Sequence, residues 1–124
     1  MSPAPPPAPV GPVQVFGRED DRGTRAAIRF FKERRLAAQI IDLRRKPIAA
    51  GELRRFIEQL GARALADTGG KPWRDAGLGY LSMTEDDLAG RLLADQRLLR
   101  LPLVRIGPRV AAGPDEAAWR RLLG

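Results

Sequence analysis

No cysteine and no histidine occur among the 124 residues of this chain. The first absence removes disulfides, thiolate metal sites, thiol nucleophiles and dithiol redox cycling from the chemistry of the chain's own side chains. The second removes the commonest general base and the commonest metal ligand. Catalysis would have to rest on carboxylates, arginines, hydroxyls or backbone amides. Lysine is scarce as well: of 22 basic residues, only Lys32, Lys46 and Lys71 are not arginine. No apolar run approaches the ~20 residues that span a bilayer, so no membrane association is expected.

What is present suits one small folded unit. Hydrophobic residues make up 44% and charged residues 30%, enough for a core and a solvated surface. The net charge is +7. Arginine-rich surfaces attract phosphates and acidic proteins, while a chain rich in Ala, Arg, Gly and Pro also reads as the product of a GC-rich genome. Met1 to Pro12, MSPAPPPAPVGP, supplies few amide donors and favours extended geometry. It is expected to be a disordered tail, with a proline-motif ligand as the alternative, and it lacks the basic and apolar regions of a secretory signal. The folded domain is expected over residues 13–124.

Val13 to Phe16 is a short β-prone run stopped by Gly17. After the polar turn GREDDRG, a helical pattern runs from Thr24 to about Arg35, with Ala27, Ile28 and Phe31 on one face and either Asp21 or Thr24 as its cap. Ala38 to Leu43 reads as a second strand. Pro47 then starts a new element, and Leu53, Phe56, Ile57 and Leu60 repeat at helical spacing up to the stop at Gly61. The next stretch, around Thr68 to Trp73, reads as irregular. Thr84 to Asp87 opens a further helix with carboxylates in its first turn, followed by a turn at Gln96 to Leu99. Leu101 to Ile106 and Arg109 to Ala112 form a hairpin, and Gly113-Pro114-Asp115 begins the last helix. The opening β-α-β unit predicts a parallel pair with a right-handed crossover. The whole order predicts an α/β protein: a thioredoxin-like fold with a helical insertion, its mixed four-stranded sheet flanked by helices.

Phe16 to Leu43, FGREDDRGTRAAIRFFKERRLAAQIIDL, resembles without gaps the first β-α-β unit of the arsenate reductase / Spx / YffB family. The similarity continues through Lys46-Pro47 and GELRRFIEQLG, is strongest in ARALADTGGKPWRDAGL with its Thr-x-Gly-x-x-Trp pattern, and extends through QRLLRLPLV to Gly113-Pro114-Asp115-Glu116. By this resemblance the reactive cysteine of active members falls at Asp21, and the second cysteine of CxxC members falls at Thr24. The oxyanion-binding arginine that follows the cysteine is kept as Arg25. The arginine of the middle segment corresponds to Asp67, that before the strand proline to Leu101, and that of the closing turn to Gly113. An arsenate dianion would therefore lose most of its charge-assisted donors and meet Asp21 and Asp67 instead.

Each candidate residue carries two readings. Asp21, beside Asp20, is a helix cap or a general base or cation site. Trp73 in its Gly-rich segment is a packing anchor or a ligand stack. Pro102 stands where thioredoxin folds hold a cis proline; it is a retained fold feature or a clamp for an extended peptide or glutathione. The basic residues Arg29 to Arg35 and Arg44 to Lys46 are a solvated face or a dock for an acidic protein or phosphate backbone. Asp21, Thr24, Arg25, Trp73 and Pro102 are the expected vestigial binding site, with no metal and no cofactor. Spx-like members bind the RNA polymerase α subunit without catalysis, so the resemblance implies a non-catalytic protein-interaction or regulatory module, cytoplasmic, bacterial and monomeric. A glutathione- or anion-binding protein with atypical chemistry is the alternative. Nucleic acid is not an expected partner.

Overall fold

The computed structural model describes residues 12–124. The expected tail thus lies, except for Pro12, outside the described residues. β1 (Val13–Gly17) leads into α1 (Arg22–Glu33), which returns to β2 (Ala38–Asp42). Four helices follow before the sheet resumes: α2 (Ala50–Leu60), α3 (Ala62–Leu65), α4 (Lys71–Asp75) and α5 (Glu85–Ala94). The hairpin of β3 (Leu103–Ile106) and β4 (Arg109–Ala112) precedes α6 (Glu116–Leu122). The strand order is β2-β1-β3-β4. β1 pairs in parallel with β2 and antiparallel with β3, and β3 pairs antiparallel with β4. This is the mixed four-stranded, helix-flanked sheet of the thioredoxin-like fold.

Strand alternation divides the core in two. Val13, Val15, Val104 and Ile106 point to one face, where Ala27, Phe30 and Phe31 of α1 and Trp119 and Leu122 of α6 cover them. Phe30 lies 5.0 Å from Phe31 and 5.5 Å from Trp119, so both phenylalanines are core, whereas the sequence pattern marked Phe31 alone. Phe16 and Leu103 point to the other face, against Leu53, Phe56, Leu65, Leu88 and Leu92 of the helical insertion. Phe16 meets Phe56 edge-on at 5.8 Å. Each such aromatic, once buried, contributes about 1.5–3 kcal/mol. Arg105 also points to this face, where its Nη1 donates to both carboxylate oxygens of Glu52 on α2, at 2.6 and 2.7 Å.

The stretch after Gly61, expected to be irregular, is largely helical. α3 and α4 are followed by a 3-10 turn at Leu78–Tyr80. These elements are too short to display a period in sequence. They stand because Leu65, Trp73 and Leu78 are buried and because Pro72 sits in the first turn of α4, where its missing amide costs nothing. The third strand begins at Leu103 instead of Leu101, because Pro102 has no amide to donate to the ladder; the Leu101–Pro102 peptide is cis. Gln96 ties the insertion together from within: its side-chain amide accepts from the Ile48 amide at 2.9 Å and donates to the Ile48 carbonyl at 2.8 Å.

Candidate functional site

The loop between β1 and α1 is built around Thr24, which is fully buried. Its hydroxyl accepts from the Arg18 amide at 3.3 Å and donates to Asp21 Oδ2 at 2.8 Å. The same Oδ2 accepts from the Thr24 amide at 2.8 Å, which makes Asp21 the N-cap of α1. Asp21 is extended at φ −84° and ψ 128°, as an N-cap requires. A side chain at position 17 would run into the Thr24 hydroxyl, so Gly17 is fixed by lack of space.

Gly23 brings the loop against the rest of the site. A Cβ there would lie 3.0 Å from the Leu101 carbonyl oxygen, 3.0 Å from Pro114 Cβ and 3.3 Å from Pro102 Cδ. The first turn of α1, the cis-proline segment and the turn into α6 therefore meet at one locus. Asp21, Thr24 and Pro102 are brought together there. Arg25 is on the first turn of α1 but exposed. Trp73 is in the core of the helical insertion with about 8% of its surface exposed, which gives it a packing role there.

Beside this locus opens a cleft of about 520 Å³, lined by Arg18, Leu43, Arg44, Arg97 and Leu101 among others. Arg18 Nε is buried without a hydrogen-bond partner, and its nearest carboxylate, Asp20, is 3.9 Å away. The other two guanidinium groups are engaged. Arg44 Nε lies 3.4 Å from Asp42 Oδ1, and Arg97 grips Asp95 through Nε and Nη2 at 3.0 and 2.9 Å. The Arg44 backbone amide, with its guanidinium, holds the Asp42 carboxyl below the usual range. The Arg97 guanidinium does the same for Asp95. Sequence reading did not single out Arg18 or Arg97 for this place. Arg18 directly follows the glycine that ends the first strand, which was the available signal; Arg97 lies outside any motif.

The locus can order a helix N-terminus and offer a few arginine donors. It holds no sulfur nucleophile, and no group of three or more His, Cys, Asp or Glu side chains able to hold a metal occurs among the described residues. No described helix is long and apolar enough to cross a membrane.

None of the curated proteins matches this chain. The solved structures do. The YFFB protein superposes with a TM-score of 0.79 at 18% identity, covering 90% of this chain and 99% of its own. An ArsC-family-related protein from Bacteroides fragilis gives 0.80 at 18% identity, covering 91% and 98%. An arsenate reductase from Vibrio cholerae gives 0.72 at 19% identity, covering 86% and 95%. At these identities the likeness establishes the fold alone. The sequence profile of the ArsC family matches residues 22–122, from the first residue of α1 to the last of α6, and the chain belongs to that family.

Proposed function

We propose that this chain is a non-catalytic member of the ArsC family, a protein-interaction or regulatory module built on a thioredoxin-like scaffold, comparable in role to Spx-like proteins and acting in a bacterial cytoplasm. One observation carries the reading. At the mouth of α1, where the family resemblance places the reactive cysteine, Asp21 is committed to capping the helix through Thr24. A carboxylate there keeps a negative charge at the positive end of the helix dipole but cannot form a mixed disulfide or reduce an oxyanion through sulfur. The fold around it is intact, down to the packing of Gly23 on Pro102. A scaffold retained without its nucleophile supports a role in binding.

Two measurements test this. The purified chain should give no turnover above background in thiol–disulfide exchange or arsenate reduction supplied with glutathione. Quantitative affinity purification from the native organism should recover one protein in stoichiometric yield, with RNA polymerase the first candidate to score by analogy with Spx. Turnover by the chain, or the absence of any stoichiometric partner, overturns the proposal.

A second reading rests on Arg18. Arg18 lines the cleft beside the cap and has no carboxylate nearer than 3.9 Å, so a glutathione carboxylate or another small anion could seat there. Glutathione-induced amide shifts confined to Arg18, Asp21, Thr24 and Leu103 would favour it over the first.

A further inference from the structure

A second cleft, of about 460 Å³, lies between the C-terminal end of α2, the edge strand β4 and α6. It shares no lining residue with the cleft beside Asp21. Three arginines line it: Arg100 ahead of β3, Arg109 at the start of β4 and Arg121 on α6. Leu60, Val110 and Leu122 give it apolar walls.

The ion pairing of these arginines sets the cleft apart. In the first cleft every guanidinium has a carboxylate within 4.0 Å, supplied by a residue two positions away in sequence. In the second, none of the three has a carboxylate within that distance among the described residues. Asp115 also lines the cleft, but its Oδ1 accepts from the Ala118 amide at 3.1 Å as the cap of α6. Arg109 Nη1 donates to the Leu122 carbonyl at 3.2 Å, which anchors that side chain against the end of α6. Arg100 lies over the closing turn: its Nε and guanidinium carbon are 2.6 Å from where a Cβ of residue 113 would stand. Glycine at 113 leaves the space that Arg100 occupies.

We propose that this cleft binds a small phosphate monoester, its phosphate held by Arg100 and Arg121, whose guanidinium groups make no hydrogen bond or ion pair among the described residues, and its organic part resting on Leu60, Val110 and Leu122. The planar guanidinium fork matches phosphate oxygens in pairs. The volume lies in the range of about 300–1,000 Å³ usual for small-molecule sites. The excess of positive charge selects an anion, and the apolar walls select an ester over the bare ion. This inference goes beyond the interaction-module reading and does not depend on it.

Amide NMR spectra of the full chain, titrated with phenyl phosphate, inorganic phosphate and phenol, test the proposal. Phenyl phosphate should saturate and shift the amides of Val110, Ala111 and Arg121. Inorganic phosphate should bind the same place several-fold more weakly, and phenol should not bind. Arg100→Gln and Arg121→Gln should each weaken phenyl phosphate about tenfold, the loss expected for one charge-assisted contact. Arg54→Gln, on the exposed face of α2, should not. The same spectra report whether each variant is folded. Shifts centred on Arg18 and Arg97 instead, equal response to phenol, no saturation, or full binding by both cleft variants would each overturn the assignment.

Discussion

Thr24 donates its hydroxyl proton to Asp21 while accepting from the Arg18 backbone, so one buried side chain joins the end of β1 to the cap of α1. The three groups form one network, and removing any of them leaves another unpaired in a low-dielectric place. Asp21→Ala should cost about 1 kcal/mol through loss of the cap. Thr24→Val, which keeps the volume but removes the hydroxyl, should cost about 1–2 kcal/mol. The double variant should lose less than the sum, because the two changes share one hydrogen bond. Chemical denaturation of the three variants measures this; strict additivity would show that the residues do not act together.

The same geometry makes a prediction about reactivity. In Asp21→Cys the sulfur would stand close to where the Asp21 Cγ stands now, beside the Thr24 amide and at the positive end of α1. Both features favour the thiolate. The pH dependence of its alkylation should report a pKa below the ordinary value of about 8.5 for a free cysteine. An ordinary pKa would show that the loop no longer activates a nucleophile. Such a result would leave the capping role of Asp21 intact but remove the argument that the site is a disarmed form of a working one.

Much of this arrangement was legible in the amino-acid order, and the reason is local. β1, β2 and the hairpin are punctuated by Gly17, Pro47 and Gly107-Pro108, and α2 carries an uninterrupted apolar repeat. Asp21 could be placed at the helix mouth because capping involves residues three apart. The contacts that escaped are those between distant positions. Nothing in the sequence around Gln96 announces that it clamps the Ile48 backbone, 48 residues away. Nor does Arg105, an arginine inside an apolar strand, reveal that its partner is Glu52. α3 and α4 escaped because helices of four and five residues are set by what they bury, not by a repeat.

Arg105 and Glu52 are each about one-fifth exposed and make a charge-assisted bond that fastens α2 to the sheet. Burial on this scale makes the pair more costly to break than an open surface bridge. Glu52→Gln should destabilise the chain by about 1–3 kcal/mol, because a partly desolvated guanidinium loses its counter-ion. Replacing both residues together, as Glu52→Leu with Arg105→Leu, should recover most of that loss. If Glu52→Gln proved neutral, the pair would be no more than a surface contact.

Acid stability should depend on Asp42 and Asp95. Their carboxyls are held below the usual range, chiefly by the Arg44 backbone amide for Asp42 and by the Arg97 side chain for Asp95. A carboxyl whose folded-state pKa is depressed contributes stability above its unfolded value, about 3.9 for aspartate, and loses it as the pH falls through the folded-state value. Melting temperatures should therefore fall on acidification below about pH 4, and Asp42→Asn and Asp95→Asn should each flatten that fall. Both sites are near solvent, so added salt should shrink the effect. Unchanged acid slopes in both variants would contradict it.

Two glycines separate packing from propensity. Gly17 faces the Thr24 hydroxyl with no room for a side chain, while Gly90, midway along α5, has nothing within 4 Å of where its Cβ would be. Gly90→Ala should stabilise the chain by about 0.5–1 kcal/mol through helix propensity alone. Gly17→Ala should destabilise it by about 1–3 kcal/mol, since the methyl must displace Thr24 and with it the Asp21 cap. The second loss should also show in the amide spectrum as shifts at Arg18 and Asp21, residues the new methyl does not replace. Equal effects at the two positions would mean that the β1–α1 loop yields without cost, and a loop that yields could not hold Asp21 at the helix mouth.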